Sequence, residues 1–145
     1  MSIVIVRRWR LLGASIAALA SIYHLSLAVY LFTTPDFTKM TYGQDAALQV
    51  PGFFLLLGAF QLVWSWETLK EKQEIMIGIG TMGFLGSIVL YLVALATPLP
   101  LGILQQTISL PGLLAKIIEI GYVISSISLI RSLPIERSAM RSGPS

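Results

Sequence analysis

The sequence predicts an all-α fold, an integral-membrane bundle of four helices with both termini in the cytoplasm, and three observations carry that prediction. Four apolar stretches of bilayer-spanning length, about 20 residues each, occupy most of the 145 residues, at 11–33, 46–66, 75–97 and 110–130. Hydrophobic residues make up 55% of the chain and charged residues only 12%, with a mean hydropathy of +0.80, which leaves too little polar surface to coat a water-soluble globule. The basic residues are segregated. Arg7, Arg8, Arg10, Lys70, Lys72, Arg131, Arg137 and Arg141 flank one side of the spans and Lys39 alone the other, so the positive-inside rule puts both ends of the chain in the cytoplasm. Trp9, Trp64 and Trp66 fall at the same interface, where an amphipathic ring is most stable.

The first span follows three arginines and contains Ala18-Leu19-Ala20, the pattern of a cleavable signal peptide. Its apolar run continues to Thr33, beyond the reach of a signal sequence, so it is expected to be a retained span. Helical spacing puts Ala17, Ser21, His24 and Ala28 on one face. The outer segment from Thr34 to Val50 carries Asp36, Lys39 and Asp45 and reads as a polar connection. In the second span Pro51 suits the first helical turn, and Gly58, Gln61 and Ser65 share a face. Glu67 to Glu74, short and mixed in sign, predicts a tight antiparallel hairpin into the third span.

Gly78-Ile79-Gly80-Thr81-Met82-Gly83 matches a dinucleotide-binding fingerprint by letters, but that motif needs a preceding strand and a water-facing helix start. Inside a span, small residues instead let helices approach closely. Gly80, Gly83 and Ser87 here, with Gly58 and Gly121 on the other helices, are therefore the expected packing positions; Tyr91 and Ala94 continue the third-span face. The loop from Pro98 to Gln106 is uncharged and holds Leu99, Leu101, Ile103 and Leu104, so it should lie on the membrane or on a partner. Ser109 suits the N-cap of the fourth helix, ahead of Pro111-Gly112. Ala115, Lys116, Glu119, Tyr122 and Ser126 form that helix's polar face. Pro134 is expected to end it, leaving a short polar tail, 134–145, disordered on its own.

Each span thus places a strongly polar side chain on its small-residue face: His24, Gln61, Tyr91, and Lys116 with Glu119. Counting inward from the outer end at 1.5 Å per residue puts His24, Gln61 and Glu119 about 14 Å deep and Lys116 and Tyr91 about 9 Å. A charge at mid-bilayer costs about 2.5–3.5 kcal/mol on insertion scales, so Glu119 needs a partner, a proton or water. Lys116, three residues away, is the nearest candidate, although its side chain leaves the helix toward the outer end and could instead snorkel. Two accounts of the layer follow. It is interhelical glue, each bond contributing about 0.6–2 kcal/mol, or it is a proton relay or small-molecule pocket.

Several classes are excluded or disfavoured. With no cysteine there is no disulfide framework, thiolate metal site or thiol redox chemistry. A single histidine cannot supply bis-histidine haem ligation, and His24 with Glu119 is too small a donor set for a metal, so no metal or cofactor is expected in the chain itself. The net charge of +3 is explained by topology, not by nucleic acid.

The run Pro51-Gly52-Phe53-Phe54 through Gly58, Gln61-Leu62 and Trp64, together with His24-Leu25 and Lys116-Ile117-Ile118-Glu119, resembles a group of small four-span proteins of archaea and bacteria that are loosely DoxX-like. That group typically shows a first-span His, a Gly-Phe-Phe and Gln-Leu-Trp second span, and a fourth-span Glu. DoxX-like chains resemble subunits associated with quinone-linked respiratory oxidation. A basic residue expected at the outer end of the third span is replaced here by Ala96-Thr97-Pro98, which argues against an anion-binding role.

The expectation is therefore a multi-pass protein of the cell membrane, in contact with lipid and with other integral-membrane chains. It would be an accessory subunit of an energy-converting complex, respiratory or oxidase-type, without catalysis of its own, any quinone or haem being held by a partner. The alternative is a self-contained DoxX-like redox or proton-coupled protein whose His24, Gln61, Tyr91, Lys116 and Glu119 line a quinone or small-molecule pocket. A small proton-coupled exporter is a minor alternative, since the buried carboxylate of that type belongs to the first span and here it lies in the fourth.

Overall fold

The computed structural model describes residues 2–70, 74–98, 106 and 108–141. It is built of five helices, α1 (Ser2–Thr33), α2 (Pro35–Tyr42), α3 (Ala46–Leu69), α4 (Glu74–Ala96) and α5 (Leu110–Arg141), with no strand among the described residues. Four of them are long and apolar enough to cross a membrane. Leu19, Ile22 and Val29 on α1, Leu56 and Leu62 on α3, Met82 and Val89 on α4, and Ile117 and Ile124 on α5 are all exposed. An all-round apolar exterior of this kind is stable in hydrocarbon and not in water.

The spanning helices neighbour one another in the cyclic order α3, α1, α5, α4, and α4 closes back on α3. The closest approach is between α1 and α3. Ser21 Oγ donates to Gly58 O at 2.7 Å and Ser65 Oγ to Ala14 O at 2.8 Å. A Cβ built on Gly58 would lie 2.8 Å from Leu25 Cγ and 3.0 Å from Leu25 N, so glycine is required there. The α3–α4 seam is built in the opposite way, with large rings filling a wider gap. Phe60 and Trp64 stack at 4.4 Å, and Trp64 Nε1 donates to Met76 O at 2.8 Å. Gly80 and Gly83 are small to receive these rings, since a Cβ would fall 1.5 Å from Trp64 Cδ1 and 2.2 Å from Phe60 Cζ. Gly121 is different: an added Cβ would lie 3.6 Å from Ile16 Cδ1, ordinary contact, so the position faces α1 without requiring glycine.

Four element boundaries differ from those expected. The first helix starts at Ser2, not near Leu11, because Val6 is buried against Ile77, Leu129 and Leu133 and draws the arginine-bearing turns into the bundle. The segment Thr34 to Val50, expected as a polar connection, contains α2, with Pro35 in its first turn, Asp36 at its positive end and Gly43 at φ 115° after its last residue. Thr38, fully buried, donates to Leu31 O at 2.9 Å and pins α2 to the end of α1. Pro51 lies inside α3, not in its first turn, because Ala46 and Val50 are buried against Leu31 and extend the helix upstream at the loss of one backbone bond. Pro134 likewise does not stop α5, which runs on to Arg141. The residues that follow, among them Glu136, Arg137, Ala139 and Met140, are good helix formers that keep the backbone ladder going beyond the missing N–H.

Two expectations matched. Gly112 N donates to Ser109 Oγ at 3.2 Å, the N-cap contact, and the α3–α4 connection is short. The apolar run Leu99 to Leu104 and the end of the tail lie outside the described residues. Gly80→Leu should displace Trp64 and break its bond to Met76, lowering stability by about 1–3 kcal/mol. Gly121→Ala should stay within about 0.5 kcal/mol of wild type. Equilibrium unfolding in mixed micelles compares the two.

Candidate functional site

The Ser21–Gly58 bond lies beside the point where α1 and α3 present His24 and Gln61 to each other, and the Ser65–Ala14 bond holds the same seam further along. His24 Nδ1 lies 2.8 Å from Gln61 Oε1 and 3.0 Å from Ala20 O. Both neighbours are acceptors, so Nδ1 carries the proton and donates to them. Gln61 passes the polarity on, since its Nε2 donates to Glu119 Oε1 on α5 at 3.0 Å. Glu119 is then reached from α4, where Ser87 Oγ lies 3.0 Å from both carboxylate oxygens and donates its one hydrogen to them. Lys116 Nζ closes the set with bonds to Glu119 Oε2 at 2.6 Å and to Ser87 Oγ at 2.8 Å. Lys116 therefore turns inward to its own helix's carboxylate and does not snorkel outward. The last contact comes from α1: His24 Nε2 stands 3.7 Å from Glu119 Oε1.

All four spanning helices contribute to this cluster, and it is sealed. His24, Gln61 and Glu119 are 1%, 0% and 0% exposed, and Lys116 9%. Aromatic rings close it on both sides. Phe54 stacks on His24 at 5.7 Å with Tyr23 edge-on at 5.2 Å, and toward the other end of the bundle Phe84 stacks on Tyr122 at 4.0 Å. Tyr122 Oη shares a 3.1 Å hydrogen bond with Thr68 Oγ1. On the α2 side, burial, with a smaller contribution from Tyr23, raises the Tyr42 hydroxyl above its ordinary value, so it stays protonated at neutral pH.

Four of the five expected members, His24, Gln61, Lys116 and Glu119, meet directly. Tyr91 joins only through its ring, with Lys116 Nζ 5.6 Å from the centroid, while its buried Oη has no hydrogen-bond partner among the described residues. Ser87, expected as a packing residue, is instead the hydroxyl that joins cation and carboxylate. Its position one turn before Tyr91 on the same face was the available signal. The flanking bonds of Ser21, Ser65 and Thr68 were not foreseen either, because the sequence does not say whether a serine or threonine in a span bonds its own helix or a neighbour.

No family model, curated protein or solved structure matches the chain. Chemistry alone defines the site. One imidazole, one carboxylate and one ammonium form a paired, hydrogen-bonded cluster, and among the described residues no three His, Asp or Glu side chains converge as a metal site would require.

Removing one charge strands the other in a dry interior, which costs about 3–5 kcal/mol, whereas replacing both with apolar groups leaves no unpaired charge. Lys116→Met and Glu119→Leu should each destabilise by about that much, with the double variant far less destabilised than the sum. A double-mutant cycle on unfolding in lipid-detergent micelles measures the coupling; additive losses would show that the pair does not form.

Proposed function

We propose that this chain is a multi-pass protein of the cell membrane, both termini cytoplasmic, that serves as a non-catalytic accessory subunit within a larger energy-converting membrane assembly. One observation carries this reading. The mid-span cluster is closed on itself, with each polar atom of Gln61 and Glu119 committed to another member and neither residue exposed, so it offers no surface on which a substrate could bind. Its role is then to fix the four helices in register, while the apolar exterior supplies contact area for lipid and for other integral-membrane chains. The resemblance to DoxX-like proteins is consistent with service beside a respiratory oxidation, the quinone or haem being held by a partner.

A second reading, a self-contained DoxX-like protein with proton-coupled chemistry at His24 and Glu119, is favoured by the Tyr91 hydroxyl next to the cluster, buried and without a hydrogen-bond partner among the described residues. The two are separated by purification from native membranes in mild detergent. The accessory reading expects stoichiometric co-purifying membrane chains; a stable, homogeneous particle of this chain alone would favour the second. The cysteine-free sequence also permits a topology test without background removal. Single cysteines replacing Ser2 and Ser138 should react with an impermeant maleimide only from the cytoplasmic side, and labelling of either from outside would reverse the assignment.

A further inference from the structure

Among the described residues, the hydrogen-bond directions around His24 leave the Nε2 lone pair facing only Glu119. Nδ1 faces two acceptors, Ala20 O and Gln61 Oε1, and the first is a main-chain carbonyl that cannot exchange roles, so Nδ1 holds a proton in every charge state. In the neutral ring Nε2 is then bare. It points at Glu119 Oε1, itself an acceptor, across 3.7 Å, too long for a direct hydrogen bond and suited to closing on a proton. Two acceptor atoms thus face each other in the buried core of the bundle, an arrangement that a proton shared between them would relieve.

We infer that the His24–Glu119 pair is a proton-binding site in the middle of the bundle, with His24 Nε2 taking the proton and Glu119 serving as the carboxylate shared by two cations. A hydronium ion gives up a proton, its O–H bond breaking to leave water as an N–H bond forms at Nε2; no bond in the chain breaks, and the cluster passes from neutral, with Lys116 and Glu119 paired, to a charge of +1. The new N–H donates to Glu119 Oε1 and draws it toward the charge-assisted distance of about 2.7–2.9 Å. Oε1 keeps its bond from Gln61 Nε2, and Oε2 keeps Lys116. Proton binding therefore pulls α1 against α5.

Burial of the ring opposes its charged form, and the groups facing it shift that balance. From α5 the Glu119 carboxylate favours the proton and the Lys116 ammonium opposes it; from α3 come neutral Gln61 and Phe54, and from α4 neutral Ser87 and Tyr91. Tyr23 on α1 packs edge-on to the ring, and Tyr42 on α2 lies beyond Tyr23. The one carboxylate is thus the group whose loss weakens binding. This inference stands whether or not the chain works inside a larger assembly.

His24 is the only histidine, so ring signals from a histidine-labelled sample are its own. Nitrogen-15 NMR of the full chain in lipid nanodiscs should show a neutral ring protonated at Nδ1 at high pH, and protonation at Nε2 on acidification with the helices intact by circular dichroism. Glu119→Gln should weaken proton binding at least about tenfold, and Lys116→Met should strengthen it. The proposal is overturned by a neutral ring carrying its proton on Nε2, by a wild-type ring that stays neutral down to the pH of unfolding, or by unchanged affinity in Glu119→Gln. Should that variant fail to fold, Lys116→Met decides in its place, and unchanged affinity there overturns the proposal equally.

Discussion

A carboxylate in the middle of an apolar bundle constrains everything around it. Glu119 is fully buried and cannot be left as a bare charge at that depth, so its own helix supplies Lys116 and the other three spanning helices each bring a polar side chain to it. Because the contacts come from α1, α3, α4 and α5, no one helix can slide or rotate without breaking one. Apolar packing between helices has little preference for register when lipid tails are equally apolar. The ion pair and its hydrogen bonds provide that preference.

Two kinds of helix seam follow. Where α1 meets α3, small residues let the backbones come close, and serine hydroxyls bond across to main-chain carbonyls at Gly58 and Ala14. That approach is what brings the short His24 and Gln61 side chains within reach of each other. Where α3 meets α4, Phe60 and Trp64 hold the helices further apart and glycines on α4 make room for the rings. Ser87 lies one turn beyond that ring layer, so the depth of the aromatic seam sets how far α4 stands from Glu119. The aromatic pairs above and below the cluster help to bury it, and burial strengthens each of its electrostatic contacts.

Much of this was legible in the residues. Uninterrupted apolar runs give spans directly, and a 3.6-residue period places His24, Gln61 and Glu119 on inward faces at matching depth. What stayed hidden depended on tertiary packing. Whether Lys116 snorkels or turns inward is decided by Ser87, which sequence cannot place. Pro51 and Pro134 look like boundaries because proline alone disfavours a helix, yet buried neighbours on one side and good helix formers on the other carry the ladder past them. The eight residues of α2 escaped because so short a helix has no periodicity to read, although Thr34-Pro35-Asp36 was a fair start signal. Gly121 shows the limit of composition: Ile16 faces it, yet at a distance that would admit a Cβ, so a glycine in a span does not by itself mark a close approach.

The most direct test of the central claim is a distance measurement in bilayers, where neither detergent nor crystal packing can reshape the bundle. Solid-state NMR dipolar recoupling, with nitrogen-15 on the single histidine and carbon-13 on glutamine and glutamate side-chain carbonyls, reports what lies beside that ring. The account predicts strong short-range transfer from His24 Nδ1 to the Gln61 amide carbon and weaker transfer from Nε2 to the Glu119 carboxyl carbon. Absence of both, with the histidine signal instead broadened by a spin label placed in the lipid acyl chains, would contradict it.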